Sequence, residues 1–380
     1  MSKKKKISII ISIILLVLII VLIALYLSEE RFRNWVDVNI LGKNITEEDI
    51  VSIDLNIDKM NQVYVYDKYI ALLNNQTMTL YNNYGQEITT MNVNINNALF
   101  DANNKYLAIA ENGGTEICLI LDKTYLWSSK VEGEIFQIHV NRNGYVAVIT
   151  KDSTYKSILT LYNSDGTALF TSFFASTRII DASISEDNKY VAIGEIDSSG
   201  TLIQSNIKII SVENAKNDLE NAIIYTYNAE SGRLLTKVKY QSKGQIACMY
   251  DDSINVIQKE ENKELVKINQ NQITFMSVNL NNHSVYVEEE NTGVFTTNSY
   301  IKIINTQDSK ISTYNLEEVP KELYAKDEVI AVNVGTEIYF LNCSGKLIRK
   351  YSTDQEITNV IFSNELASIV YKDKVVLIDL

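Results

Sequence analysis

Two short phrases recur along this chain at a regular interval, and that period constrains the fold more than any other feature. The first is a strand end, a polar turn of Asn, Asp or Ser, and a second strand that contains Ala. It reads "FDANNKYLAIA" (100–110), "VNRNGYVAVI" (140–149), "ISEDNKYVAIG" (184–194) and "IFSNELASIV" (361–370). Weaker copies are "VYDKYIALLN" (65–74), "QSKGQIACMY" (241–250), "NNHSVYVEEE" (281–290) and "AKDEVIAVNV" (325–334). Asn and Asp suit such turns because they tolerate left-handed backbone and bond their own main chain. The eight second strands begin near Tyr69, Tyr106, Tyr145, Tyr190, Ile246, Val285, Val329 and Leu366, with separations of 37, 39, 45, 56, 39, 44 and 37 residues. Each interval holds about four short runs rich in Ile, Val, Tyr and Thr, without helical periodicity. Units of ~40–45 residues with four strands each mark an all-β chain built as a β-propeller.

The second phrase is "LYNNYGQEIT" (80–89), "LYNSDGTALF" (161–170) and "FLNCSGKLIR" (340–349). It follows a third strand and turns the chain into a fourth. Gly85, Gly166 and Gly345 then supply the positive φ that a tight hairpin needs. A calcium loop would instead require several acidic oxygens at alternating positions. Only Asp165 offers one; Tyr84 and Ser344 stand at the equivalent places. These are blade turns, and no metal site is expected in them.

After the last copy comes "KVVLIDL" (374–380), a third strand with no fourth behind it. An open last blade would leave a sheet edge bare. The missing strand is expected from "IVSIDLNI" (50–57), which closes the ring by overlap of its ends. The reading is eight blades, with seven the alternative if one weak unit is misread.

At these turns the chain resembles the WD40-like and TolB-like propeller superfamily, whose recurrent "FSPDGKYLA" is echoed by "ISEDNKYVAIG" and "FDANNKYLAIA". The resemblance spans about 330 residues and its motifs are architectural. The Trp-Asp and Gly-His pairs of true WD40 repeats are missing, so their hydrogen-bond network is not implied.

The N-terminus is of another kind. "MSKKKK" precedes 21 uncharged residues (7–27) interrupted only by Ser8 and Ser12. As a helix this run spans roughly 31 Å, about one hydrocarbon core. Lys3 to Lys6 predict a cytoplasmic tail (1–6) with the remainder outside. A cleaved signal peptide has a shorter apolar region, ~7–15 residues, and 24–28 offer no small-x-small site. The expected layout is therefore tail, transmembrane helix (7–27), charged stalk (28–49) and extracytoplasmic propeller (50–380). With that anchor the chain looks like uncharacterised single-pass propeller families of Gram-positive bacteria, which implies location and shape only.

The whole chain carries −12. Setting Lys3 to Lys6 aside leaves 31 of the 35 basic residues against 47 acidic ones, a balance of about −16. Such a surface repels polyanions, so nucleic acid is not an expected partner. Three widely spaced cysteines do not form a disulfide framework. Cys118 and Cys248 lie in apolar strands and read as small buried hydrophobes; Cys343, in a hairpin, reads as an exposed free thiol, with a disulfide the alternative left open.

Signals for chemistry are sparse. His139 and His283 are 144 residues apart without a ligand partner at local spacing, and read as incidental. There is no H-E-x-x-H, G-x-S-x-G, Walker loop or C-x-x-C pair. Trp35 and Trp127 are the only tryptophans, whereas quinone-cofactor propellers stack one in most blades; Trp127 reads as a packing residue, and no cofactor is expected.

Loops are the better guide, because ligands bind where variable loops rise from a rigid scaffold. Two second-to-third-strand loops are long, at 195–205 and 288–299. The latter sets Glu288, Glu289 and Glu290 beside Phe295, a combination suited to a basic or amphipathic partner. The insertion at 212–222 follows a third strand and belongs to the opposite face. The expectation is a membrane-anchored scaffold that binds an envelope protein or peptide. Two alternatives stay open: a small-molecule or glycan sensor working through a membrane partner, and a hydrolase or lyase with axial carboxylates.

Overall fold

The computed structural model describes residues 3–46, 50–55, 61–230, 232–259, 261–267, 273–291 and 297–380. Eight antiparallel sheets follow one another along the chain, at 61–92, 98–130, 134–174, 177–228, 235–267, 273–316, 322–352 and 359–379. The fold is an eight-bladed β-propeller with four-stranded blades, which settles the blade count read from the repeat.

Each blade packs on both faces against its neighbours, so its second strand is apolar on both sides instead of alternating. Val146–Lys151 and Val329–Asn333 are buried almost throughout. The Ala of the first phrase is fully buried in seven blades: Ala71, Ala108, Ala147, Ala192, Ala247, Ala331 and Ala367. Each lies opposite a large third-strand residue, such as Leu80, Leu119, Leu161 or Phe340. Small set against large lets adjacent blades interdigitate without voids.

The third-to-fourth hairpins explain the second phrase. Asn82, Asn163 and Asn342 each accept, through Oδ1, the backbone N–H groups two and four residues on. The glycine is held at φ +88° in Gly166, and a Cβ there would lie 2.9 Å from the Trp127 indole of the preceding blade. Trp127 also donates Nε1–H to Ser164 O at 3.1 Å, so it is a packing residue between blades two and three.

Blade eight holds three strands of its own sequence, and a segment from the N-terminal side completes it. Here β1 denotes Asn44–Thr46 and β2 denotes Ser52–Asp54. β2 pairs antiparallel with the last strand in the register Ser52↔Val376, Ile53↔Val375, Asp54↔Lys374. Ile53 packs with Val65, Ile70, Leu366 and Val375, joining the last blade to the first. Gly85 of blade one abuts Val51 of this segment as Gly166 abuts Trp127.

Upstream lie two helices, α1 (Lys3–Ser28) and α2 (Glu30–Asn39). The side chains from Ile10 to Leu25 are exposed, and Ile10–Ser28 is long and apolar enough to cross a membrane. Within the segment read from sequence as a stalk, Asp37, Lys43 and β1 lie against the ring. Tyr26 donates its hydroxyl to Asp37 Oδ1 at 2.8 Å, and Lys43 Nζ is 3.0 Å from Asp37 Oδ2. The same ammonium donates to Leu347 O at 2.8 Å in blade seven. β1 then adds a fifth strand to that blade, parallel to its fourth, with Asn44↔Lys350 and Thr46↔Ser352.

Candidate functional site

The first strand of every blade faces the axis. Neighbouring first strands share no backbone ladder, so polar side chains bridge them instead. Gln62 accepts Ala98 N–H at 2.7 Å and donates to Ala98 O at 3.0 Å. Asp101 accepts Val140 N–H at 2.7 Å, and Asp181 accepts Val238 N–H at 2.9 Å. Gln137 donates to Ile180 O at 2.6 Å, Ser183 accepts Tyr240 N–H at 2.9 Å, and Gln241 donates to Leu280 O at 2.8 Å. Backbone groups that would otherwise be buried unpaired are satisfied this way. Two of the axial carboxylates are thus engaged in joining blades.

On the side of the first-to-second-strand turns the axis widens into a cavity of about 560 Å³, to which all eight blades contribute. Its charged lining includes Asp101, Asp181, Asp327, Lys237, Lys239 and Lys326. His139, read as incidental, is placed here with Nε2 3.6 Å from Asp181 Oδ1. Lys326 Nζ lies 5.1 Å from the centre of the Tyr64 ring and 3.4 Å from its hydroxyl. Burial works against the charge on Lys326, but Tyr64, Asp101 and Asp327 outweigh it and hold its pKa above the ordinary value. Burial also raises the Tyr64 phenol, against the pull of Lys326. A second cavity of about 330 Å³ continues along the axis toward the other face, walled by Met249, Met276, Leu323, Tyr324 and Ile361. The two share Tyr64, Lys237 and Lys326, so they meet at those side chains. Among the described residues no group of three or more His, Cys, Asp or Glu is placed to hold a metal ion.

A third feature lies off the axis. Between blades four and five a groove of about 500 Å³ is lined by Tyr190, Tyr225, Tyr227 and Tyr240, with Ile209 and Ile224 beneath and Lys243 and Lys259 at its edge. Ile223–Asn228, the outermost strand of blade four, forms one wall. Tyr225 is 41% exposed, and Tyr227 donates its hydroxyl to Lys259 O at 2.7 Å.

The acidic loop singled out from sequence is only partly described. Glu288, Glu289 and Glu290 lie at the end of the strand His283–Asn291, whereas Phe295 falls outside the described residues. Glu288 is paired with Lys302, Glu289 is half-buried and Glu290 is exposed. This tip is on the face opposite the larger axial cavity. His283 is half-buried in blade six, and burial holds its pKa below the ordinary value. All three cysteines are free. Burial pushes the Cys118 thiol up to about 12 and the Cys248 thiol upward as well. The half-buried Cys343 donates to Glu328 O at 3.5 Å; burial first, and then the Glu328 charge, push it up to about 12.

No curated protein matches the chain by sequence. Among solved structures it is similar to BamB from Moraxella catarrhalis, at 12% identity and TM-score 0.52, covering 87% of this chain and 99% of that one. The C-terminal WD40 domain of Sif2 gives 10% identity and TM-score 0.56, with 87% and 99% covered. Sqt1 from Chaetomium thermophilum, in a structure bound to the N-terminus of the ribosomal protein L10, gives 10% identity and TM-score 0.54 over the same shares. At such identities the likeness is one of fold, and it agrees with the WD40-like propeller resemblance carried by the turns. A family model describes residues 43–380, the whole ring with β1, and by that match the chain belongs to DUF5711, a family of unknown function.

Proposed function

We propose that this protein is a membrane-anchored scaffold whose propeller lies outside the cytoplasm and binds an envelope protein or peptide. The observation that carries the binding part is the tyrosine groove between blades four and five. Tyrosine gives large, rigid contact area with a polar tip and is enriched where proteins meet. The strand beside it is the outer edge of blade four, and an extended peptide can add to a sheet at its edge. Blade seven supports the idea from within the same molecule, since its outer edge already accepts β1 as an added strand. The ring of Sqt1 supports it from outside, being seen with a segment of another protein. The acidic tip at Glu288, Glu289 and Glu290, on the other face, is proposed as a second contact, with Phe295 of the same loop sequence as its apolar partner. The anchor is α1, with Lys3 to Lys6 retained in the cytoplasm.

The test places a photo-crosslinking amino acid at Tyr225 or at Glu290 in the full chain, in native membranes. We expect position 225 to capture one discrete protein or peptide, and Ile224→Ser to cut that capture about tenfold. Diffuse labelling unaffected by Ile224→Ser would count against the scaffold reading. A discrete adduct at Glu290 alone would move the contact to the acidic tip. Release of the chain by alkaline carbonate would remove the anchor.

A further inference from the structure

We propose that the axis of the ring is a binding site for a small amphiphilic anion, with its carboxylate or phosphate head at Lys237, Lys239 and Lys326 and its apolar body against Met249, Met276 and Leu323. The charged lining of the larger cavity is mixed, with Arg142, Lys237, Lys239 and Lys326 beside Asp101, Asp181, Asp327, Glu186 and Glu328. Asp101 and Asp181 accept backbone N–H groups from the next blade, so both carboxylates are committed to holding blades together. Lys237 and Lys239 have no such role. Both are half-buried on the first strand of blade five, two positions apart, and both line the larger cavity. Among the described residues neither ammonium has a hydrogen-bond or ion-pair partner.

Lys326 adds a third ammonium where the two cavities meet. It is held over the Tyr64 ring, with Asp101 and Asp327 as its neighbouring charges. Beyond that waist the wall changes character from Asn, Asp and Lys to Met, Leu and aromatic side chains. A head that seeks cations and a body that avoids water match the two halves in order. The combined space is that of an ordinary small-molecule site, within ~300–1,000 Å³. The larger cavity adjoins the groove at Glu186 and Tyr240, but none of the lysines or apolar residues invoked here lines the groove or the acidic tip, so this inference stands or falls independently of the scaffold reading.

The test uses the full chain in lipid nanodiscs, with 4-phenylbutyrate as a water-soluble probe read by saturation-transfer NMR. Empty discs serve as the blank for partitioning. Inorganic phosphate tests the head alone, and 4-phenylbutylamine tests the body with the opposite charge. We expect phenylbutyrate to bind the protein, phosphate to compete with it, and the amine to show no binding above the blank. The double variant Lys237→Gln, Lys326→Gln should weaken phenylbutyrate about tenfold, the loss of charge-assisted contacts. Met276→Trp, which fills the apolar half and keeps the lysines, should weaken phenylbutyrate while phosphate binds as before. Thermal unfolding of each variant confirms that the ring is intact. Binding of the amine as strong as that of the acid overturns the proposal. Parent-like binding of phenylbutyrate by the double lysine variant or by Met276→Trp overturns it as well.

Discussion

Asn82, Asn163 and Asn342 hold one position in three different blades, and each closes its hairpin with the same pair of bonds from the side-chain oxygen. The oxygen does the work of a backbone acceptor at the point where the strand ladder ends. Only an acceptor is required there, which makes the role separable from the amide. In Asn342, Oδ1 accepts Ser344 N–H at 3.0 Å and Lys346 N–H at 3.1 Å. Asn342→Ala should lower stability by about 1–2 kcal/mol, read as a fall in the urea midpoint with unchanged slope. Asn342→Asp should keep most of the loss from appearing, because a carboxylate accepts the same bonds. An Asp variant as weak as the Ala variant would show that the amide nitrogen matters instead.

Among elements, β2 is short for the task it performs. Three residues supply the outer strand of blade eight, and Ile53 is the one side chain of the three that is buried. Ile53→Asp places a carboxylate in that apolar junction and should cost about 3 kcal/mol or more. Hydrogen exchange should then rise first in the strands of blades eight and one. Uniform exchange across the ring would deny β2 a local closing role. The turns and second strands were legible in the sequence because their signals are local: Asn and Gly within one hairpin, Ala within one strand. The axial site was not. In four successive blades the first strand carries a β-bulge near its start, between Ile135 and Gln137, Ile179 and Asp181, Leu235 and Lys237, and Ile273 and Phe275. An extra residue reverses the inward and outward alternation beyond it. Simple alternation therefore gives no warning that Lys237, Lys239 and His139 turn toward the axis. β1 was missed for another reason: three residues pairing with a strand some 300 positions away leave no local periodicity.

At the scale of the molecule, the ring buries many phenols. Tyr66, Tyr240, Tyr250, Tyr324 and Tyr339 all have pKa values raised, in each case chiefly by burial. In the unfolded chain these groups ionise near pH ~10. The folded state holds them neutral, so their contribution is fully present below that pH and is lost as pH rises through and beyond it. The denaturant midpoint should accordingly be flat from about pH 8 to about pH 9.5 and fall steeply by about pH 11. Tyrosine absorbance should show these phenols ionising together with unfolding. A gradual titration with the ring still folded would contradict this. The way the ring is tied to its N-terminal helix has a mechanical consequence. A pull on α1 passes first through Tyr26, Asp37 and Lys43 and then through β1, all of which transmit it to blade seven. The closing strand β2 lies further along the chain and is shielded from that load. Tension at the N-terminus is taken up on the rim of one blade, and the seam that keeps the ring shut is spared.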